Sequence, residues 1–173
     1  MIDALALPVT LDAREGAFTV RAATPADLEA LVALIANDPV SAARGDTASP
    51  DDRDAYARGL AAIQADARNV QLVAERDGVV IGTLQLTLIP GISRRGAARL
   101  QVEAVRVRDD QRSAGIGRAL MRWVADVAPG LGAPLIQLTS DAQRVDAHRF
   151  YERLGYARSP VTMMQKWLTN PSP

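Results

Sequence analysis

The segment from Leu100 to Leu120 constrains this chain more than any other. Leu100-Gln101-Val102-Glu103-Ala104-Val105-Arg106-Val107 alternates as a strand does, and Arg108-Asp109-Asp110 follows as a polar turn. Gln111-Arg112-Ser113-Ala114-Gly115-Ile116-Gly117-Arg118-Ala119-Leu120 then opens a helix. Ile116, Leu120, Val124 and Val127 recur at helical spacing until Pro129-Gly130 ends the run near Ala128. A strand therefore feeds a tight, glycine-containing turn that starts a helix.

The first N–H groups of a helix have no partner within it, and they sit at the positive end of the helix dipole. Together they receive a phosphate wherever no side chain blocks the backbone. Gly115 and Gly117 remove such side chains. The Walker pattern requires Gly-Lys-Ser/Thr at the helix start, whereas Gly117 is followed by Arg118-Ala119. A dinucleotide fingerprint requires glycine where Leu120 stands. Arg112-x-x-Gly115-x-Gly117, after an alternating strand of this length, reads as a phosphate cradle of another kind.

The remaining elements follow from periodicity and punctuation. Met1 to Gly16 reads as a loose lead-in with a short strand at Ala4 to Leu7, and Phe18 to Ala22 as the first strand of the domain. Thr24-Pro25-Ala26-Asp27 starts a helix whose apolar face is Leu28, Leu31, Val32, Leu34 and Ile35, and which fails before Pro39. Val40 to Pro50 is a polar connection, and Asp51 to Ala67 a second helix. Val70 to Glu75 and Val79 to Ile89 are strands joined by Arg76-Asp77-Gly78, with Asp-Gly the hairpin signal. Ser93-Arg94-Arg95-Gly96 is a basic loop before the strand Ala98 to Val107. Leu135 to Thr139 is a short strand, Asp146 to Leu154 a helix stopped by Gly155, and Tyr156 to Arg158 and Thr162 to Leu168 final strands. The organisation is a lead-in over 1–16, one domain over 17–169 and a tail over 170–173.

At this point the glycine turn resembles the diphosphate-binding motif of the GCN5-related N-acetyltransferase (GNAT) superfamily, Gln/Arg-x-x-Gly-x-Gly/Ala. A second segment, Asp146-Ala147-His148-Arg149-Phe150-Tyr151-Glu152-Arg153-Leu154-Gly155-Tyr156, is similar to the family's late helix with its Ala-x-x-Phe-Tyr-x-x-x-Gly-Phe/Tyr core. The resemblance spans roughly Phe18 to Leu168. It implies an α/β (α+β) fold: a mixed, mostly antiparallel sheet of six to seven strands, flanked by about four helices, with one splayed strand that binds the cofactor. It also implies acetyl-CoA as co-substrate. The cradle would be Arg112, Ser113, Ala114, Gly115, Ile116, Gly117, Arg118 and Ala119. Val105, Arg106 and Val107, on the splayed strand Glu103 to Val107, would offer backbone groups to the pantetheine arm. Tyr151 takes the place of the family tyrosine near the thioester sulfur. Related proteins often carry Asn seven residues before it; here that position is Arg144, which can still reach a phosphate.

Acetyl transfer to an amine needs a proton removed from the acceptor, donors for a tetrahedral oxyanion and a proton source for the departing thiolate. Val105 N–H is the candidate oxyanion donor and Tyr151, a phenol protonated at neutral pH, the candidate acid. Two-residue alternation places Gln101, Glu103, Val105 and Val107 on one face. That puts Glu103 on the acceptor side of the cofactor strand, as a base working through water or as an attractor of a cationic amine. The lone His148 reads as structural, Trp123 and Trp167 as packing or interface residues, and Arg94, Arg95 and Arg99 as cations that would favour an acidic acceptor.

Composition narrows the partners. Lys plus Arg (20) equals Asp plus Glu (20) in 173 residues, so no global charge draws the chain to nucleic acid or to an anionic membrane. Without cysteine, disulfides and thiolate chemistry are excluded, and a cytoplasmic setting fits. One histidine supplies no metal-ligand spacing, so no metal is expected. Met1 to Leu11 does not read as a secretory signal, and no run reaches the ~20 apolar residues of a membrane span. The expected acceptor is a small-molecule amine. A protein N-terminus or lysine, and a non-catalytic acyl-CoA sensor, are the alternatives. The resemblance also implies a homodimer.

Overall fold

The computed structural model describes residues 2–159 and Met164. Six strands form one sheet in the order β1-β2-β3-β4-β5-β6. They are β1 (Val9–Ala13), β2 (Gly16–Ala22), β3 (Asn69–Arg76), β4 (Val79–Ile89), β5 (Arg99–Val107) and β6 (Leu135–Leu138). Every neighbouring pair is antiparallel except β5 and β6, which run parallel. That exception follows from the chain path: β5 returns to β6 through a crossover helix, which parallel pairing requires. The mixed, mostly antiparallel sheet implied by the resemblance is the one observed.

Three helical pieces connect β2 to β3: α1 (Leu28–Ala36), α2 (Pro39–Ala42) and α3 (Arg53–Ala65). The turn α4 (Ser93–Gly96) joins β4 to β5, α5 (Ile116–Val127) joins β5 to β6, and α6 (Val145–Arg153) follows β6. The four longer helices are the four expected. α4 is barely a helix, since Arg94 and Arg95 both lie in the left-handed region. α2 was not anticipated within the polar connection: Pro39 suits a first helical turn, and the Asp38 carboxylate accepts from Ser41 N–H at 2.9 Å.

The sheet is buried on both faces. Leu72, Leu84, Leu86, Leu100 and Val102 meet Ile116, Leu120, Met121 and Val124 of α5 in the main core, all 1% exposed or less. Trp123 packs in the same cluster. Val73, on the opposite side of β3 from Leu72, joins Leu28, Leu31 and Leu60 beneath α1 and α3. The hairpin Asp77-Gly78 has both residues at positive φ (52° and 75°), as its two-residue turn demands. Arg21 anchors the entry to α1: it donates to both Asp27 oxygens at 2.8 Å and to Glu75, while Asp27 accepts from Thr24 N–H.

Two expectations at the ends need correction. The lead-in is not loose. Its strand is Val9–Ala13 rather than Ala4 to Leu7, which is irregular after a short 3-10 turn, Ile2–Ala4. Pro8 interrupts the apolar run, and the strand is secured by pairing with β2 across the Arg14-Glu15 turn, with Val9, Leu11 and Ala13 turned toward the core. Tyr156 to Arg158 is irregular rather than a strand; Gly155 at φ 89° turns the chain out of α6. The strand expected at Thr162 to Leu168, Trp167 and the tail lie outside the described residues.

Candidate active site

β5 is paired differently along its two halves. From Arg99 to Val102 it lies between β4 and β6, its pairing with β6 ending at Val102↔Leu138. On the β4 side pairing continues to Val107↔Gly82. From Glu103 to Val107 the outer edge of β5 therefore has no strand beside it among the described residues. This is the splayed strand expected from the resemblance, and it leads straight into the glycine turn. Gly82 permits the close approach: a Cβ there would sit 2.9 Å from the Arg106 carbonyl oxygen.

The half without an outer partner carries a β-bulge. Gln85 pairs with Glu103, but Thr83 pairs with Arg106, so β5 holds one residue more than β4 between these points. Ala104 takes up the excess at φ 50°. The extra residue reverses the alternation. Gln101, Glu103 and Arg106 share one face, while Val105 and Val107 fall on the other and pack against the main core. The expectation that Glu103, Val105 and Val107 share a face is thus wrong beyond Ala104, because alternation holds only in a regular pleat.

At the turn, Gly115 caps α5 at φ 91°, and a Cβ on it would meet Arg14 N at 3.1 Å. The first amide to close a bond into the helix is Ala119, to Gly115 O at 3.0 Å. The N–H groups of Ile116, Gly117 and Arg118 precede that bond, which is the arrangement a diphosphate requires. Ala114 and Ile116 are buried, so their side chains cannot meet a ligand. Arg112, Ser113 and Arg118 are exposed. Arg112 pairs with Asp109 at 2.5 Å, and Asn37 at the end of α1 donates to the same carboxylate at 2.7 Å.

Two clefts flank this strand. One, of about 790 Å³, lies between α1 and the end of β5 and is bordered by Ala33, Asn37, Val107, Asp109 and Arg112. The other, of about 530 Å³, follows the outer edge of β5 toward α6 and holds Glu103, Val105, Arg106, Ser140, Arg144 and Tyr151. The fold thus brings Glu103 and Tyr151, 48 positions apart in sequence, into one cleft. Glu103 is exposed. Tyr151 packs edge-on against Phe150 and Tyr156, with ring centroids 5.1 and 5.8 Å apart. Burial pushes its phenol above the ordinary value, opposed by the charges of Arg106 and Arg144, so it is protonated at neutral pH.

Arg144 does not extend freely toward a phosphate. It donates to both oxygens of Asp38, at 2.7 and 2.5 Å. Arg106 donates to Ser41 Oγ and to the Val105 carbonyl, both at 2.9 Å, and lies 3.9 Å from Asp38. Burial, with Arg144 nearby, pushes the Arg106 guanidinium below its ordinary value. Asp38, Ser41 and the side chain of Arg106 are site residues that periodicity did not single out. The sole local signal was Asp38-Pro39, a helix start at the point where the first helix was expected to end. Arg94, Arg95 and Arg99 border neither cleft. The His148 ring meets the Asp141 carbonyl at 2.9 Å, consistent with a structural role. Among the described residues no group of three or more His, Cys, Asp or Glu is placed to hold a metal ion, and no helix is long and apolar enough to cross a membrane.

Residues 32–156 match the model of the acetyltransferase (GNAT) family. An aminoalkylphosphonate N-acetyltransferase from Salmonella typhimurium is 32% identical over 108 residues, which span 62% of this chain and 70% of that protein. A structure described as a transcriptional regulator from Bacillus halodurans superposes with a TM-score of 0.81 at 35% identity, covering 87% of this chain and 99% of the other. A predicted acetyltransferase with acetyl-CoA from Clostridium acetobutylicum shares the fold at a TM-score of 0.66 and 16% identity, covering 86% and 96% of the two chains.

Proposed function

This chain belongs to the GNAT acetyltransferase family, and from that premise we propose that it transfers an acetyl group from acetyl-CoA to a primary amine of a small molecule, by direct attack in a ternary complex. The observation that carries the reading is the open edge of β5 from Glu103 to Val107, which runs from the cleft holding Glu103 and Tyr151 to the amides of the Gly115–Gly117 turn. These residues fit the carrier. An unpaired strand edge offers backbone groups to an amide-rich arm, and the helix start offers N–H groups to a diphosphate.

In this reading acetyl-CoA supplies the thioester. Glu103 draws in the cationic amine and passes its proton to water, which suits an exposed carboxylate. Val105 N–H stabilises the oxyanion at the bulge. Tyr151 donates its proton as the carbon–sulfur bond breaks, and it stays protonated until then because burial holds it so. The aminoalkylphosphonate activity of the Salmonella relative supports a small amine over a protein N-terminus or lysine. Action in the cytoplasm, in keeping with a chain without cysteine, and assembly as a dimer, on the resemblance alone, belong to the same reading.

A second reading, an acyl-CoA sensor without turnover, draws on the Bacillus protein's description as a transcriptional regulator. One pair of measurements separates the two. Calorimetry should show acetyl-CoA binding, and CoA release across an amine panel should show turnover. Binding with no turnover on any amine supports the sensor, and no binding removes both readings.

A further inference from the structure

The smaller cleft holds one cationic donor, Arg106 Nε, that no acceptor among the described residues takes. Arg106 and Arg144 share Asp38, and Arg144 takes both of its oxygens; Asp46, on the same cleft, acts on Arg106 through its charge, with no ion pair between them. Arg106, 18% exposed, is left with two neutral acceptors. Its Nε is buried with no hydrogen-bond partner among the described residues, as is Ser140 Oγ on the same cleft. Buried polar groups are normally satisfied, and a guanidinium most of all, since its charge makes the deficit larger. The third arginine, Arg44, is already paired with Asp141. Glu103 and Asp46 are the bordering carboxylates with no ion pair among the described residues. The cleft therefore holds an under-satisfied guanidinium beside carboxylates without an ion pair.

We infer that Arg106, with Ser140, is a receptor for an oxyanion carried by the acceptor, so that the acceptor class is a short zwitterion: an aliphatic amine bearing a phosphonate, phosphate or carboxylate. The inference rests on the amine-transfer reading for the place of the amine at Glu103. Glu103 and Arg106 lie on one face of β5, and their partners Gln85 and Thr83 are two residues apart. The two side chains therefore leave the strand roughly 7 Å from one another. That spacing suits an amine and an acid separated by on the order of two to four carbon atoms. Arg144, held by Asp38, positions Ser41 and Arg106 from behind.

The test uses the whole chain saturated with CoA, which fills the diphosphate cradle. Methylphosphonate should bind this complex. Arg106→Gln should weaken that binding on the order of 100-fold, and Ser140→Ala about tenfold. In turnover, 2-aminoethylphosphonate should exceed propylamine on the order of 100-fold in kcat/KM. No binding of methylphosphonate by the CoA-saturated wild type, or binding that CoA displaces, overturns the inference even if Arg106→Gln fails to fold. Equal kcat/KM for the two amines also overturns it and leaves amine transfer standing. Methylphosphonate binding with no amine acetylated supports the receptor while removing the transfer reading.

Discussion

Arg144, at the start of α6, grips both oxygens of Asp38 at the corner between α1 and α2. The pair joins segments 106 positions apart; Arg144 lines the cleft that holds Tyr151 and Asp38 the larger one.

Removing the Asp38 charge leaves two guanidiniums facing one another, so Asp38→Asn should lower stability by about 2 kcal/mol in urea unfolding at pH 7. The pH dependence has a definite sign. Burial pushes the Asp38 carboxyl up, but the Ser41 N–H and the charges of Arg106 and Arg144 outweigh it and leave it below the ordinary value. Arg21 holds Asp27 well below the usual carboxylate range. Both carboxyls are depressed on folding, so their stabilisation is fully present above the unfolded value of about 4 and disappears as pH falls through the folded ones. The Asp27→Asn, Asp38→Asn double variant should show a shallower loss of urea midpoint between pH 5 and pH 2 than the wild type. A loss as steep as the wild type's would place the acid sensitivity elsewhere.

The two turn glycines should separate on stability. Gly115 is at φ 91° with Arg14 N close to its missing side chain, so Gly115→Ala should destabilise by about 1–2 kcal/mol. At Gly117 a Cβ would meet Phe150 at 3.5 Å and Val107 at 3.7 Å, ordinary contacts, with no unusual φ. Gly117→Ala should be neutral or stabilising by up to about 1 kcal/mol. Thermal unfolding of the two variants decides it.

Ala104 sits in the left-handed region at the bulge. Ala104→Gly should therefore stabilise the fold by up to about 1 kcal/mol, and a β-branched residue there should destabilise it. A glycine variant less stable than the wild type would mean that the bulge is not strained.

Tyr151→Phe should lower kcat about 10- to 100-fold while acetyl-CoA affinity, read by calorimetry, changes less than threefold. Because burial raises the phenol, a fall in kcat from its ionisation should lie above pH 10. A mutant that turns over at the wild-type rate removes Tyr151 as the acid.

Much of the fold was legible in the residues because its signals are local. Asp77-Gly78 announces its hairpin through the positive φ of both positions. Ile116, Leu120 and Val124 mark the buried face of α5, and Gly115 its start. β1 carries a strand's alternation in Val9-Thr10-Leu11-Asp12-Ala13, but five residues are too few to separate a strand from a loose lead-in until pairing with β2 secures them. α2 escaped because four residues cannot show a helical period.

The sequence by itself determined which residues could carry chemistry: a glycine turn able to start a helix, a glutamate within the preceding strand, and a tyrosine in the late helix. Those follow from steric freedom, alternation and side-chain type, which act over a few bonds. Only the tertiary structure decided their arrangement. One extra residue at Ala104 turned Arg106 to the side of Glu103, and Asp38, far away in the chain, gave both oxygens to Arg144 and only a 3.9 Å ion pair to Arg106. Register and ion pairing depend on which distant segments meet, and no local pattern encodes that.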